Sequence, residues 1–217
     1  MMRSRFDEEL NDLNSELILM GALCEDAISH AVTALMEDSE EMRNKVFTVD
    51  GRIDAKEHDI ESRCLRLLLR QQPVARDLRQ ISSALRMISD MERIGDQAAD
   101  IAEICQYLRG DQLKHKVPLQ EMAAAVTKMV SDSVDSFVHH DLKLAQEVIE
   151  YDDVADKLFL DIKDGLVKMI SADSSCGEAA LDLLMIAKYL ERIGDHATNI
   201  AEWVYYAVTG EYKGEEL

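Results

Sequence analysis

The sequence predicts an all-α protein of two tandem, similar three-helix bundles, built from six long antiparallel helices. Three observations predict this class. Only 9 Gly and 2 Pro among 217 residues leave few places for the chain to turn. Apolar residues recur at spacings of three and four over long stretches, and one half of the chain repeats the other. The expected halves are residues 1–109 and 112–210, followed by a solvated tail at 211–217.

The repeat is clearest in two twelve-residue segments, 92–103 and 191–202, which are identical at nine positions with an offset of 99. Both begin Glu-Arg-Ile-Gly-Asp. Upstream, an offset of 102 aligns Asp50 with Asp152 and Asp54 with Asp156. A three-residue deletion in the loop before the third helix of a half would account for the change of offset. Helix packing alone would not produce this motif twice, so we interpret the pattern as an internal duplication.

The first half reads as three helices. Ser39 is a suitable start for the second helix, and Pro73 ends it near Gln72. The third helix is expected from about Val74 to Leu108, with Gly110 as its stop. The first helix carries an unbroken apolar seam, which predicts lengthwise packing against other helices: Leu10, Leu13, Leu17, Met20, Cys24, Ala27, Ala31 and Ala34.

The second half follows the same plan. Pro118 is expected at the first position of the fourth helix, and residues 139–141 are expected to form a surface loop before the fifth. Gly210 would end the sixth helix, as Gly110 ends the third. The fourth helix has the counterpart of the apolar seam: Leu119, Met122, Val126, Met129 and Ser133.

The net charge of −19 argues against some classes of ligand and favours another. Such a surface repels nucleic acid and anionic lipid but attracts cations. No run of about twenty apolar residues and no secretory signal is evident, so we expect a cytoplasmic protein without direct membrane insertion. The four cysteines form no C-x-x-C pair and are expected to be reduced, mostly buried thiols: Cys24, Cys64, Cys105 and Cys176.

Acidic residues four apart share one face of a helix, because each residue turns the helix by about 100°. Each half offers two such rows on consecutive helices. In the first half they are Asp50, Asp54, Glu57 and Glu61 on the second helix and Glu92, Asp96 and Asp100 on the third. In the second half they are Asp152 and Asp156 on the fifth helix and Glu191, Asp195 and Asn199 on the sixth.

The rows of the first half lie close to apolar stripes. The row on the third helix continues Leu78, Ile81, Leu85 and Ile88, and the row on the second runs beside Val46, Val49, Ile53 and Ile60. Partly buried carboxylates repel one another unless a cation neutralises them, which predicts a metal site. Oxygen ligands suit Mg, Ca, Mn or ferric iron, with zinc possible. Gly95 and Gly194, inside the rows, would allow another backbone or a metal to approach closely.

Other interpretations stay open at this point. The rows could be solvated faces, and the two glycines could mark helix crossings. Arg93 and Arg192 could pair with nearby carboxylates or contact a partner. His58 and His196 lie near the rows and could be metal ligands, although neither has a histidine counterpart in the other half.

Familiar enzyme signatures are missing. The residues three after Glu92 and Glu191 are glycines rather than the His of di-iron bundles, and phosphate-loop, dinucleotide and H-E-x-x-H motifs are absent. We therefore predict a binding protein rather than an enzyme. A metal-free helical scaffold and a carboxylate-bridged metalloenzyme are the alternatives.

The doubled Glu-Arg-Ile-Gly-Asp at 92–96 and 191–195, each preceded by an Asp-x-x-x-Asp pair, resembles the PhoU family over essentially the whole chain. The resemblance implies two three-helix bundles and multinuclear metal clusters of iron or zinc. The ligand chemistry of the carboxylates also allows Mg or Mn. The implied first ligand set is Asp50, Asp54, Glu92, Asp96 and Asp100. The implied second set is Asp152, Asp156, Glu191, Asp195 and Asn199, in which a neutral amide replaces the carboxylate of Asp100.

The resemblance also implies a role and partners. Members of the family are negative regulators of phosphate uptake and of the phosphate-starvation response. They are thought to link the ATPase subunit of the phosphate ABC transporter to a sensor histidine kinase, and a homodimer is expected. Composition and spacing do not themselves indicate this role.

Overall fold

Six long α-helices form most of the molecule. The computed structural model describes residues 2–71 and 73–211, and the rest of the predicted tail, 212–217, lies outside them. The helices are α1 (Met2–Glu37), α2 (Glu40–Gln71), α3 (Ala75–Ile104), α4 (Leu119–His139), α5 (Leu142–Ala172) and α6 (Gly177–Thr209). Short 3₁₀ turns at Cys105–Leu108, Leu113–His115 and Ser174–Cys176 complete the connections. No strand occurs in the described residues.

The helices form two three-helix bundles, as predicted. In the first, α1, α2 and α3 pack on one another, and α4, α5 and α6 do so in the second. The bundles join along α3 and α6, the most extensive helix pair, and along α1 and α4. Consequently α2 and α5 lie on the outside. The exact limits 1–109 and 112–210 stay a prediction.

The apolar seams form the core. Every seam residue predicted on α1 and α4 is buried. Cys24, Cys64 and Cys105 are buried free thiols, and Cys176 is partly exposed. The stripe on α3 is buried at Ile81 and Ile88 but not throughout, because Leu78 near the start of the helix is 47% exposed.

The predicted helix ends are close to the observed ones. Gly110 and Gly210 have φ of +74° and +85°, the left-handed backbone that stops a helix at little cost for Gly. The regular part of α3 ends at Ile104, and the 3₁₀ turn carries the chain to Leu108. Pro118 is the N-cap of α4 rather than its first helical residue. Asp141 caps α5, since its carboxylate accepts hydrogen bonds from two backbone amides.

α3 and α6 run antiparallel across the interface between the bundles. The Arg86 guanidinium lies 5.9 Å from the centre of the Trp203 ring, and His196 Nδ1 lies 2.9 Å from Asp90 Oδ1. As residue numbers rise along α3 they therefore fall along α6. This pairing places the two Glu-Arg-Ile-Gly-Asp segments at the same level, near the middle of the interface.

By length and composition, one part of α1, Glu8–Glu37, could cross a membrane. Half of its most apolar window is buried inside the bundles, where Leu17, Met20 and Cys24 are fully covered. Core helices of water-soluble proteins commonly pass the same test, so the finding is weak evidence for a span.

Candidate functional site

The acidic rows of the first half meet between α2 and α3. A Cβ atom built on Gly95 would lie 2.9 Å from Asp50 Oδ1, so the absence of a side chain at Gly95 admits the Asp50 carboxylate. Asp50, Glu92, Asp96 and Asp100 are half-buried, and Asp54 is exposed. The sequence predicted the approach of another backbone or a metal at this glycine, whereas in the structure the nearest group is a carboxylate side chain.

Electrostatics show that these carboxylates are neighbours. Burial raises the pKa of Asp50 to about 6, and the negative charges of Asp54, Asp96 and Asp100 add to the shift. Burial also raises the pKa of Glu92, with Asp96 as its main acidic neighbour and smaller effects of Glu57 and Asp54. The structure thus brings together all five residues of the first predicted set. It adds Glu57, which belongs to the predicted row but not to the ligand set.

The second half has the same arrangement, with longer contacts and more exposed carboxylates. A Cβ atom on Gly194 would lie 3.4 Å from Asp152 Oδ1. Burial raises the pKa of Asp152 to about 6, helped by the charges of Asp156 and Asp195. Asp156 and Asp195 are exposed, while Asp152 and Glu191 are half-buried. The equivalence of Asp50 and Asp152 follows from the duplication in the sequence.

Two members of the second set have other partners. Glu191 forms an ion pair with Lys188. The Asn199 amide donates a hydrogen bond of 3.1 Å to Asp90 Oδ1, which lies on α3 of the other bundle. His196 contacts the same oxygen. Sequence reasoning missed Asp90, because helical periodicity gives the face of a residue but not the helix opposite it.

The arginines of the repeated motif also differ. Arg93 forms ion pairs with Glu92 and Asp96, at 3.5 and 3.0 Å, and its charge partly offsets the rise in the pKa of Glu92 that burial causes. Arg192 lies 6.0 Å from the centre of the Tyr189 ring, and its charge partly offsets the rise in the pKa of Asp100 that burial causes. The pairing role considered for Arg93 is therefore seen.

The donor chemistry of the first site suits a hard cation. Asp50 Oδ1 is buried and has no hydrogen-bond partner, and such an atom is costly unless a cation or water satisfies it. In the side-chain positions described, however, no three His, Cys, Asp or Glu residues are arranged to hold one metal ion. Metal binding would need the carboxylates to rotate inward. The exposed side chains of Asp54, Asp156 and Asp195 have room to do so.

The PhoU domain model matches residues 17–105 and 119–204, one match in each half. The chain belongs to the PhoU family. A PhoU homolog of Clostridium acetobutylicum, named a phosphate-specific transport system accessory protein, is 38% identical over 97% of both chains. The homolog of Pseudomonas aeruginosa with the same name is 36% identical over 95% of this chain and 86% of its own.

Solved PhoU structures share the fold. The crystal structure of PhoU from Pseudomonas aeruginosa superimposes with a TM-score of 0.88 at 36% identity, over 95% of this chain and all of the other. The phosphate transport system regulatory protein PhoU from Streptococcus pneumoniae gives a TM-score of 0.89 at 29% identity, over 97% and 100% of the two chains. These relatives are named as accessory or regulatory proteins and not as enzymes, in agreement with the prediction of a non-enzyme.

Proposed function

We propose that this chain is a regulatory accessory protein of phosphate transport, acting as an adaptor whose two acidic sites bind metal. Membership of the PhoU family supports the regulatory role. The observation that carries the metal site is the repeated meeting of carboxylates beside a glycine, at Asp50 with Gly95 and at Asp152 with Gly194. A bound cation would neutralise carboxylates that otherwise repel one another.

The residues that would hold metal in the first half are Asp50, Asp54, Glu92, Asp96 and Asp100. In the second half they are Asp152, Asp156, Glu191 and Asp195, with Asn199 as a neutral ligand. Iron or zinc is the proposed metal, with Mg or Mn as alternatives, since oxygen-rich sets of this kind accept each of them. Lys188 would have to release Glu191, so we expect the second site to be the weaker one.

Elemental analysis tests the metal. The purified protein is loaded separately with Fe, Zn, Mn or Mg, dialysed, and analysed by mass spectrometry. We expect retained metal that is reduced in Asp96→Ala and in Asp195→Ala, each at its own site, while Asp164→Ala, an exposed acid on α5, retains the wild-type content. A wild-type protein that holds none of these metals would leave the metal-free scaffold as the better description.

A carboxylate-bridged metalloenzyme is the less favoured alternative. Phosphatase and oxidase assays of the metal-loaded protein separate it from the adaptor. Turnover that Asp96→Ala abolishes would support the enzyme.

The proposed partners are the ATPase subunit of the phosphate ABC transporter and the phosphate-sensing histidine kinase, with a homodimer in the cytoplasm. This part rests on family membership. Binding of the purified protein to the isolated ATPase subunit, and to the cytoplasmic part of the kinase, tests the partners. Light scattering tests the dimer.

A further inference from the structure

The turn between α2 and α3 carries an unusual combination of exposed apolar and basic side chains. Leu69 is 84% exposed and Val74 is 65% exposed, and Leu65 and Leu78 are each 47% exposed. Arg66 and Arg76 are exposed among them. We call this surface the α2–α3 tip and define it by Leu65, Arg66, Leu69, Val74, Arg76 and Leu78.

The tip is basic in a strongly acidic protein. Residues 63–79 contain five arginines and a single acid, Asp77, whereas the whole chain has a net charge of −19. The equivalent region of the second half, 165–178, contains one lysine and two acids. The two halves share one fold, yet only the turn of the first half is rich in arginines. Their concentration here points to a use outside the bundle.

Two of the arginines already have structural roles. Arg63 pairs with Asp59 and Glu16, at 2.9 and 3.2 Å. Arg79 lies against Gly210 at the C-terminal end of α6, where a positive charge favours the helix dipole.

Arg66 and Arg76 form no ion pair within the described ranges 2–71 and 73–211. Two acids of α1 are nevertheless close to Arg66. Glu9 and Asp12 line a cavity of about 150 Å³ together with Arg63, Arg66 and Leu67. The field of Arg76 reaches the α4–α5 turn, since burial and then the charge of Arg76 lower the pKa of His140. Arg66 on α2 thus lies towards α1, and Arg76 on α3 lies towards the α4–α5 turn.

The apolar residues stand in two ridges. Leu65 and Leu69 are four apart on α2, and Val74 and Leu78 are four apart at the start of α3, so each pair shares a face. Ridges of this spacing on neighbouring helices are suited to packing against the apolar face of a third helix. Flanking arginines would attract acids on the sides of that helix.

We propose that the α2–α3 tip binds an acidic amphipathic helix of a partner protein. A flat anionic bilayer fits less well, because the same end of the molecule presents the exposed acids Asp135, Asp141 and Glu211. A single helix, in contrast, is narrow enough to contact the tip without meeting these acids. The inference rests on the proposed adaptor function, since it names the face with which the adaptor binds a partner.

Peptide binding tests the tip directly, without a natural partner. The probe is a synthetic fluorescent helix with Leu at i, i+3, i+4 and i+7 and Glu at the flanking positions, titrated with the full-length protein. We expect binding that weakens at least about tenfold in Leu69→Ser/Val74→Ser and in Arg66→Glu/Arg76→Glu. The matched control is Leu160→Ser/Val167→Ser, which removes residues of 50% and 56% exposure from the outer face of α5. This control should bind like the wild type.

Three results would overturn the inference. In the first, the wild type and the tip variants bind the acidic peptide equally well. In the second, a peptide with Lys in place of Glu binds the wild type as tightly as the acidic peptide does. In the third, the tip mediates binding to phosphatidylglycerol vesicles while the protein does not bind the peptide. Circular dichroism confirms that each variant is folded, and the substituted side chains are exposed, so we expect folding to be retained.

A second titration with the purified transporter ATPase subunit separates this inference from the proposed function. If the wild type binds the subunit and the tip variants bind it equally well, the tip is excluded as that interface while the adaptor role stands. If the wild type fails to bind the subunit, the transporter part of the proposed function fails, and the peptide titration still decides the chemistry of the tip.

Discussion

At the scale of single residues, Gly95 and Gly194 occupy equivalent positions with different surroundings. An added Cβ would meet Asp50 Oδ1 at 2.9 Å and Ile53 Cδ1 at 3.0 Å in the first half. In the second half the nearest atom would be Asp152 Oδ1, at an ordinary contact distance of 3.4 Å. Ile53 is fully buried and has little room to move. The two halves therefore tolerate a methyl group to different degrees.

This difference predicts that the substitution of Gly by Ala has a different effect on stability in each half. Gly194→Ala should stabilise the metal-free protein by about 0.5–1 kcal/mol, because Ala favours the helix interior. Gly95→Ala should be neutral or destabilising, since the crowding of Asp50 and Ile53 cancels that gain. Urea unfolding of both variants in a chelator measures the contrast. An equal stabilisation of the two would mean that the first site has more space than the structure shows.

The titration of Asp50 gives a second prediction. Its pKa of about 6 in the folded protein lies above the value of about 4 expected in the unfolded chain. The folded state then binds the proton more tightly, so this group lowers the free energy of unfolding as the pH rises from about 4 to above 6. Metal-free Asp50→Asn should be more stable than wild type at pH 7.5, by about 1 kcal/mol after solvent screening.

At pH 4 this difference should largely disappear, because Asp50 is then protonated in the folded wild type. With metal bound the sign should reverse, since the variant lacks a ligand. Urea midpoints at both pH values, with chelator and with metal, give the comparison, and Asp164→Asn is the control for the loss of one exposed carboxylate. A stabilisation that metal leaves unchanged would favour the metal-free scaffold.

At the scale of elements, the connection between the bundles is fastened to the α1–α2 turn by a buried charge. The Lys114 side chain is only 1% exposed, and its Nζ lies 2.5 Å from Asp38 Oδ1. Asp38 itself has a φ of +54°, and its other oxygen accepts a hydrogen bond of 3.1 Å from the Gly110 amide. The turn and the connection therefore hold each other in place.

Lys114→Ala should lower the free energy of unfolding by about 3 kcal/mol at pH 7, because it leaves a cavity and removes the partner of Asp38. Lys114→Met should lose less, since it keeps most of the buried stem. The hydrogen bond from Lys114 lowers the pKa of Asp38, so this contribution is present above about pH 4 and declines as the pH falls further. Urea unfolding gives the values, and Lys116→Met, at an exposed neighbour, should change little.

Sequence reasoning succeeded where one helix determines its own buried face. The α1 seam from Leu10 to Ala34 is buried throughout because periodicity fixes which side of a helix is apolar. It could not place Lys114, since burial of a charge depends on a partner distant in sequence. The duplication likewise made Asp50 and Asp152 equivalent, but it contained no information on the helix opposite Asn199.

At the scale of the whole molecule, the interface of α3 with α6 joins the two bundles into one body. It combines apolar packing with polar contacts between the bundles, including that of His196 with Asp90. The pairing of α1 with α4 adds a second connection. Because so much of each bundle is covered by the other, we expect the folding of the halves to be coupled.

Trp203, the only tryptophan of the chain, lies on α6 beside Arg86 of α3 and reports on this interface. Its fluorescence and the helical circular dichroism signal should follow one transition in urea, since neither bundle is expected to persist without the other. Ile162→Ala, at a fully buried position of α5, should remove about 3 kcal/mol and shift both signals together. The matched substitution Ile60→Ala, fully buried on α2, should do the same from the other half. If Ile162→Ala instead produced two transitions, with about half of the helical signal retained after the first, the bundles would be independent domains and the α3–α6 contact only a docking of one on the other.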